Sequence, residues 1–288
     1  MVRIGAHVSS SKSLDLVFDR AIDIGADTIQ FFLNSPRSWK TKTRTEQEIE
    51  DFHTKKNKYK IKPTVVHASY LYNLASEDKH LREKSIKGVI NDLHLCEELD
   101  IDYYVIHPGK AKGQTEQQAI EHIKRSLDYI FSKTQTKTVF LLETLAGQKG
   151  EIGKTTQELK ELLEAVPDQR AGICIDTCHI FSAGYRINTE EGFDAYKTEL
   201  EALIGLDRVK LIHCNDSKTP FNSRKDRHQH IGEGYIGIKG FEIFLNDSYL
   251  GKLPYIIETP KVGNYDQINI EKLRKTVKYA QCVRSSNG

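Results

Sequence analysis

Six short apolar runs in this chain end on a histidine, an aspartate or a glutamate. They are PTVVH ending at His67, YYVIH at His107, TVFLLE at Glu143, GICID at Asp176, VKLIH at His213 and PYIIE at Glu258. The intervals between these end residues are 40, 36, 33, 37 and 45 residues, each long enough for one strand, one helix and two loops. Since a polar side chain buried alone is costly, the repetition indicates a shared site.

Segments with helical periodicity separate the apolar runs. Residues 14–22 place apolar side chains at helical spacing, and Gly25 follows where a helix commonly ends. Residues 115–118 (T-x-x-Q) and 155–158 (T-x-x-E) have the capping-box pattern, and the second of these helices is predicted to stop at Pro167. Strands and helices are therefore predicted to alternate along the chain.

The alternation predicts an α/β fold. With residues 4–7 and 28–33 added, the chain has eight predicted strands. Eight βα units in about 250 residues are typical of a closed (β/α)₈ TIM barrel, whose active site lies at the C-terminal ends of the strands. A doubly wound open sheet is the structural alternative, but no GxGxxG follows the first strand. No Pro/Gly/Ser-rich linker divides the sequence, so we expect residues 1–288 to form a single domain.

The composition argues against a membrane protein or a secreted one. The chain is 28% charged, and its apolar runs are far shorter than the roughly 20 residues that cross a bilayer. The N-terminus MVRIGAHVSS lacks the apolar region of a secretion signal, so we expect an intracellular protein of the cytoplasm or nucleoid. Five cysteines without a CxxC motif are expected to stay reduced. The net charge of +2 does not by itself indicate nucleic-acid binding.

Two further motifs enlarge the set of metal-ligand types. IDTCH places His179 three residues after Asp176, and DRH places Asp226 and His228 on one side of an extended segment. A catalytic zinc takes about three protein ligands, so the candidates suit two or three ions. The predicted sets are His67, His107 and Glu143; Glu143, Asp176, His213 and Glu258; and His179, Asp226 and His228, with Glu143 bridging the first two.

The alternative for any one of these residues is a structural role. A single histidine at a strand end is more often a structural residue than a ligand, but six strand ends that all carry ligand types favour a metal site. Zn²⁺ fits mixed His/carboxylate ligation, which also admits Mn²⁺ or Fe²⁺. For His7, a position behind the ligands and a purely structural role are equally compatible with the sequence. His230 is expected to lie next to the ligands without being one. Cys174, Cys178 and Cys214 are assigned to packing.

Seven motifs together resemble the endonuclease IV family, the metal-dependent apurinic/apyrimidinic endonucleases of family 2. They are GAHVS (5–9), HPG (107–109), ETxAGQ (143–148), IDTCHIFSAGY (175–185), HxNDSK (213–218), SRxDRHxHxGEGxIG (223–237) and IIET (256–259). The resemblance covers residues 5 to about 260 and implies a DNA-repair hydrolase with a trinuclear zinc site in a TIM barrel. Such an enzyme cuts the phosphodiester 5′ to an abasic site and leaves 3′-hydroxyl and 5′-deoxyribose phosphate ends.

The resemblance also implies roles for individual residues. The three ligand sets match the family's three zinc sites, so we expect three Zn²⁺ per chain, with Mn²⁺ admissible at one site. Glu143 and Glu258 are the predicted catalytic residues. Arg37, Tyr70 and Leu71 align with residues that the family inserts into DNA, and Trp39 has a side chain of the same type. The implied partner is double-stranded DNA with abasic or 3′-blocked sites. No membrane partner is expected, and the protein is expected to be a monomer.

Two departures from the family pattern lie close to these residues. Ser35-Pro36 stands before Arg37 where the family tends to have Asn-Gln, which affects the expected lesion contacts. Thr144-Leu145 replaces the usual Asn-Thr after Glu143, which affects the groups that support this glutamate.

Two other functions stay compatible with the residues. A sugar isomerase or epimerase of similar architecture also uses strand-end histidines and carboxylates, but it has less use for the third set. A lesion-binding protein whose metals only hold the loops is the non-enzymatic alternative.

Overall fold

Eight parallel strands close into a barrel in this computed structural model, which describes residues 2–166 and 170–278. The barrel strands β1 to β8 are Ile4–His7, Ile29–Phe31, Thr64–His67, Tyr103–Ile106, Val139–Glu143, Ala171–Asp176, Val209–His213 and Tyr255–Ile257. They follow one another around the barrel in chain order, and β1 pairs with β8 to close it. The predicted TIM barrel is confirmed, although β2 is shorter than residues 28–33.

Helices lie between the strands throughout the described chain. Helices α1 to α9 are Leu16–Asp23, Glu46–Tyr59, Lys79–Glu98, Glu116–Lys133, Thr156–Leu163, Thr177–Ala183, Glu190–Leu203, Gly237–Asn246 and Tyr265–Thr276. Short 3₁₀ turns occupy Gln148–Gly150, Leu206–Arg208 and Leu250–Lys252. Within residues 2–166 and 170–278, no helix has both the length and the apolar character that a membrane crossing requires.

The predicted helix signals are correct in part. Thr115 caps α4 with a complete capping box. Thr155 caps α5, but the Glu158 carboxylate accepts from the backbone N–H groups of Gly153 and Lys154 (2.7 and 2.9 Å) instead of closing the box. Ile22 of α1 is 48% exposed, so the apolar face of this helix is narrower than its spacing predicts. The predicted stop at Pro167 lies outside the described residues.

A layer of apolar side chains inside the barrel sets the direction of the polar ones. One residue from each of β3 to β8 belongs to it: Val65, Val105, Leu141, Cys174, Leu211 and Ile256. Each of the six ligand-type residues at the strand ends lies two positions further along the chain. Side chains two apart on a strand point to the same face, so the polar groups occupy the next layer, at the mouth of the barrel.

A buried carboxylic acid lies on the outer side of this barrel wall, on α3. Asp92 is 6% exposed and accepts a hydrogen bond from the Tyr104 hydroxyl at 2.9 Å. Burial raises the pKa of Asp92 to about 7, although hydrogen bonds from Tyr104 and Tyr72 oppose the shift. Asp92 is therefore predicted to hold a proton in the folded protein at pH values where an unfolded chain has released it.

This proton makes stability depend on pH. Because the folded-state pKa of Asp92 lies above the unfolded value of 3.8, its contribution favours folding at low pH and is lost as the pH rises towards about 7. In Asp92→Asn this contribution is absent. Between pH 5 and pH 8 the free energy of unfolding of the wild type should fall by about 2–3 kcal/mol relative to Asp92→Asn.

Urea unfolding at several pH values, in excess chelator, measures the difference. Asp128→Asn, which changes an exposed aspartate on α4, is the matched control and should follow the wild type. Parallel curves for the wild type and Asp92→Asn would show that Asp92 is ionised in the folded state.

Candidate metal centre

Glu143, the last residue of β5, lies at the centre of the polar layer and is fully buried. Its Oε2 atom lies 3.2 Å from His67 Nε2 and 3.1 Å from His107 Nε2. Its Oε1 atom lies 3.0 Å from Nδ1 of His213, which is also 3.4 Å from Oε2 of Glu258. The two oxygens of one carboxylate thus face two different groups of histidines.

A second carboxylate gathers two further histidines at the rim. Asp226 Oδ1 lies 3.3 Å from both His179 Nε2 and His228 Nε2. His228 Nε2 is also 3.6 Å from Asp176 Oδ2, so this group adjoins the first two. His228 begins a short ribbon in which His228–Gln229 pairs with Asp216–Ser217, and this pairing holds the DRH segment over the barrel mouth.

Backbone carbonyls fix the orientation of three of these imidazoles. His67 Nδ1 donates to the carbonyl of Ala68 (2.7 Å), His179 Nδ1 to that of Thr144 (2.8 Å) and His228 Nδ1 to that of Glu258 (3.1 Å). A carbonyl only accepts, so the proton of each neutral ring is on Nδ1 and the lone pair is on Nε2. In all three cases Nε2 faces a carboxylate, the arrangement that a cation between the two would stabilise.

The donor atoms fit metal ions. The ligand atoms of each predicted set lie within 4.8 Å of one another. Nε2 of His179 and Nε2 of His228 are buried and have no hydrogen-bond partner among the described residues, which is costly unless another ligand binds them. The chemistry also fits, because neutral imidazole with carboxylate is the donor set that zinc prefers. The structure brings all nine candidates together, and their role as ligands stays a prediction.

The surrounding groups shift the pKa values of the carboxylates. Burial by itself raises the pKa of Glu143, but His213 and His107 outweigh it and hold the pKa well below its ordinary value. Burial likewise opposes ionisation of Asp226, whose pKa is nevertheless lowered by His179 and His228. Both groups are therefore acceptor-only carboxylates at neutral pH, as metal ligation requires.

The cysteines beside the ligands behave as packing residues. Cys174 is a member of the apolar layer, and burial raises the pKa of its thiol to about 12. Cys178 lies within ligand distance of Asp176 and His228, but burial raises its pKa to about 12 as well. Cys214 is also fully buried. Full burial of all three thiols agrees with the predicted packing role.

Two histidines near the site lie behind the ligands. His7 Nδ1 is 3.0 Å from Gln30 Nε2 and 3.5 Å from Glu258 Oε1. His230 stacks on Tyr265 at a centroid distance of 3.8 Å and belongs to none of the ligand sets. The prediction that His230 is a neighbour agrees with these contacts.

Four supporting residues were not identified from the sequence: Gln30, Thr177, Asn215 and Asp216. Thr177 Oγ1 donates to the backbone carbonyl of Asn215 (2.8 Å). Asn215 Nδ2 donates to Asp176 Oδ2 (2.7 Å), and its Oδ1 accepts from the backbone N–H of Glu258 (2.7 Å). Amide side chains and hydroxyls are too common in proteins to signal such roles by type alone. For Gln30 a signal exists, because its neighbours His7 and Val65 in the strand register are inward-facing residues.

Asp216 explains the GEGxIG motif. Its carboxylate accepts from the backbone N–H groups of Ser217, Gly232, Gly234 and Ile236 at 2.8–3.0 Å. A Cβ on Gly234 would lie 2.3 Å from the Ser217 carbonyl oxygen, so only glycine fits there. This buried anion organises the turn that follows His228.

The two departures from the family pattern have visible contacts. Thr144 Oγ1 accepts from the backbone N–H of Asp176 at 2.8 Å, so the hydroxyl supports the second set through Asp176. The carbonyl of Pro36 accepts from Ser69 Oγ at 3.0 Å, which connects the loop after β2 to the loop after β3.

The predicted DNA-contact residues lie on these two loops. Tyr70 is 58% exposed, with its ring 5.6 Å from His67 and 5.3 Å from Phe32, so it stands at the rim of the centre. Arg37 is exposed and Leu71 is half-buried. The Trp39 ring is half-buried against Tyr72 (5.7 Å), with Lys84 Nζ 4.4 Å from its centroid. These contacts favour a packing role for Trp39, and all four DNA contacts stay predictions.

A cavity of about 380 Å³ opens over the centre. Members of all three ligand sets line it, together with Tyr70, Lys110 and Gln148. The cavity thus gives solvent access to members of each ligand group.

Comparisons with known proteins agree with this arrangement. A family model described as xylose isomerase-like TIM barrel matches residues 18–280. "Probable endonuclease 4" of Persephonella marina is 62% identical over 281 residues (97% of this chain, 99% of the relative), and that of Aquifex aeolicus is 47% identical over 276 residues (96% and 98%).

Solved structures give the same result. The crystal structure of endonuclease IV from Thermus thermophilus superposes with a TM-score of 0.84 at 32% identity and covers 95% of this chain and 98% of that one. A D-tagatose 3-epimerase-like protein reaches a TM-score of 0.74 at 20% identity, with 96% and 97% covered, which is a likeness of fold alone.

Replacing Glu143 tests whether the three groups hold ions. In Glu143→Gln one carboxylate oxygen becomes an N–H donor, so the first two groups lose their shared anion. We expect the purified variant to hold at least one metal ion per chain fewer than the wild type by elemental analysis. Asp92→Asn is the matched control, because it also converts a buried carboxyl to an amide but lies outside the centre. Equal metal content in Glu143→Gln and the wild type would contradict the shared role of Glu143.

Proposed function

The chain belongs to the endonuclease IV family, and from that premise we propose that it is a zinc-dependent DNA-repair enzyme that acts on abasic sites. It cleaves the phosphodiester on the 5′ side of the lesion, leaves 3′-hydroxyl and 5′-deoxyribose phosphate ends, and removes 3′-blocking groups. The observation that carries this proposal is the position of Glu143, whose two oxygens face two separate histidine groups. A bridged pair of metal ions is the arrangement suited to a phosphoryl centre.

Nine side chains are proposed to hold three Zn²⁺ ions, with Mn²⁺ admissible at one position. The first ion takes His67, His107 and Glu143; the second takes Glu143, Asp176, His213 and Glu258; and the third takes His179, Asp226 and His228. Such ions neutralise the charge of the phosphodiester and supply hydroxide at neutral pH.

The protein itself contributes orientation. Glu258 Oε1 is held by Gln30 Nε2 at 2.6 Å, while Oε2 faces the centre at 3.4 Å from His213 Nδ1. One oxygen is thus fixed and the other is placed to orient the attacking water. No covalent nucleophile is required, and the buried thiols of Cys174 and Cys178, with pKa values of about 12, are unsuited to that role.

The recessed centre favours substrates that deform easily. A regular duplex cannot bring a phosphate to the bottom of the cavity unless it bends or a nucleotide leaves the stack. At an abasic site stacking and pairing are already lost, so the deformation costs less. Tyr70 at the rim, with Arg37 and Leu71 on the same two loops, is proposed to occupy the gap in the base stack.

The third ligand group distinguishes this proposal from a sugar epimerase. Epimerase-like proteins share the barrel with this chain at identities of about 20% or less, which concerns the fold alone. His179, Asp226 and His228 form a complete additional donor set beside the bridged pair. A reaction that needs one or two ions has less use for it, whereas a phosphodiester with charge on attacking and leaving oxygens benefits from three cations.

The direct test is cleavage of a labelled duplex that contains one tetrahydrofuran abasic analogue. We expect a single nick 5′ to the lesion with a 3′-hydroxyl that a DNA polymerase extends, no nick in the undamaged duplex, and loss of activity in EDTA that zinc restores. Tight, lesion-specific binding without any nick by zinc-loaded protein would instead identify a lesion-binding protein.

Arg37→Ala tests recognition separately from chemistry. The exposed guanidinium is proposed to contact DNA at the lesion and lies outside the ligand groups, so its loss should weaken affinity for the abasic duplex on the order of tenfold. The single-turnover rate at saturating enzyme should stay near that of the wild type. Fluorescence anisotropy and rapid-quench cleavage measure the two quantities.

Arg125→Ala is the matched control, because Arg125 is an exposed arginine on the outer helix α4. An Arg37→Ala variant that binds damaged and intact duplexes as the wild type does would remove Arg37 from the interface.

A further inference from the structure

Gln30 lies on β2 and connects His213 of β7 with Glu258, which follows β8; these are the two barrel strands furthest from β2 in sequence. It is fully buried, and its amide contacts three side chains. The Nε2 atom lies 2.6 Å from Glu258 Oε1 and 3.0 Å from His7 Nδ1, and the Oε1 atom lies 2.7 Å from His213 Nε2. Two of these partners, Glu258 and His213, belong to the second ligand group, whereas Gln30 itself belongs to none of the groups.

The partners determine which way the amide points. The Glu258 carboxylate is acceptor-only when it is ionised, so the atom 2.6 Å away must be the NH₂ group of Gln30. The carbonyl oxygen therefore faces His213, and it can only accept. His213 Nε2 must then carry the proton that it donates across 2.7 Å.

This proton fixes the chemistry of the other ring nitrogen. A neutral imidazole with its proton on Nε2 has its lone pair on Nδ1. In His213 Nδ1 faces Glu143 Oε1 at 3.0 Å and Glu258 Oε2 at 3.4 Å. His67, His179 and His228 have the opposite tautomer, set by backbone carbonyls, whereas the tautomer of His213 is set by a side chain.

We propose that Gln30 is a positioning residue that fixes the tautomer of His213 and the rotamer of Glu258 when the second proposed metal position binds an ion. This role rests on the proposed function, because it concerns the same centre. One amide acts on both ligands at once: its oxygen selects the Nδ1 lone pair of His213, and its NH₂ group directs Glu258 Oε2 towards the same point. His7 completes the contacts of the NH₂ group.

The test compares Gln30→Leu, Gln30→Glu and the wild type. Leucine nearly preserves the volume and removes all three hydrogen bonds of the amide. Glutamate keeps an acceptor for His213 but loses the donor to Glu258. Thr28→Val is the matched control, because it removes another buried hydrogen bond of the same segment, from Thr28 Oγ1 to the Pro63 carbonyl, without touching the centre.

Zinc affinity by chelator competition is the first measurement. We expect the affinity for the most weakly held ion to fall about 10–100-fold in Gln30→Leu, as for other groups that orient ligands. Gln30→Glu should also bind zinc more weakly, and Thr28→Val should match the wild type. An unchanged zinc affinity in Gln30→Leu would overturn the proposal.

Histidine-selective ¹⁵N NMR of the zinc-loaded proteins is the second measurement. In the wild type, His213 should show a slowly exchanging proton on Nε2 and none on Nδ1, with the assignment made from a His213→Gln sample. The signal should persist in Gln30→Glu and disappear into fast exchange in Gln30→Leu. A signal that persists in Gln30→Leu, even with weakened zinc binding, would overturn the assigned role.

These outcomes are separable from those that concern the proposed function. If wild-type protein neither holds zinc nor nicks abasic DNA, the proposed function fails. If the wild type does both and Gln30→Leu matches it in zinc affinity or in the His213 signal, only the role of Gln30 fails.

Discussion

The alternation of side chains along parallel strands is the constraint on which the rest of this structure depends. In each of β3 to β8, an apolar residue of the inner layer is followed two positions later by a histidine or a carboxylate. Because the strands are parallel and the sheet is closed, all of these groups reach the same end of one barrel. A shift of one residue in any strand would turn its polar group into the surrounding helices, where it would be unpaired.

The polar layer is stable only because its negative groups lie beside positive groups or hydrogen-bond donors. It collects four carboxylates and five histidines at the bottom of a cavity of about 380 Å³. Anions in such a place repel one another and lose their hydration, which must be offset by cations or hydrogen-bond donors. Much of the hydrogen bonding around the centre serves this purpose: backbone carbonyls orient three histidines, and Asn215 and Gln30 satisfy carboxylate oxygens.

The fold and most of the ligand-type residues could be predicted because they follow regular spacings. Strand ends recur at intervals of 33 to 45 residues, and capping residues such as Thr115 mark helix starts. His107 and Glu258 lie one residue beyond the ends of β4 and β8, but the pattern of apolar runs still identifies both residues. The supporting groups could not be predicted by residue type, since Gln30 and Asp216 act through contacts with segments 183 and 16–20 residues away in sequence. The role of Glu158 outside its capping box likewise depends on the conformation of the preceding turn.

The wide spread of the ligands along the chain has a consequence for biosynthesis. The first two groups share Glu143, the second of them also needs Glu258, and β8 must pair with β1 before the barrel closes. A ribosome that has made only the first two hundred residues therefore exposes a nascent chain with an incomplete set of donors. All nine donor side chains are in place only after nearly the whole polypeptide has emerged, so an ion at the proposed centre can be fully coordinated only near the completion of translation.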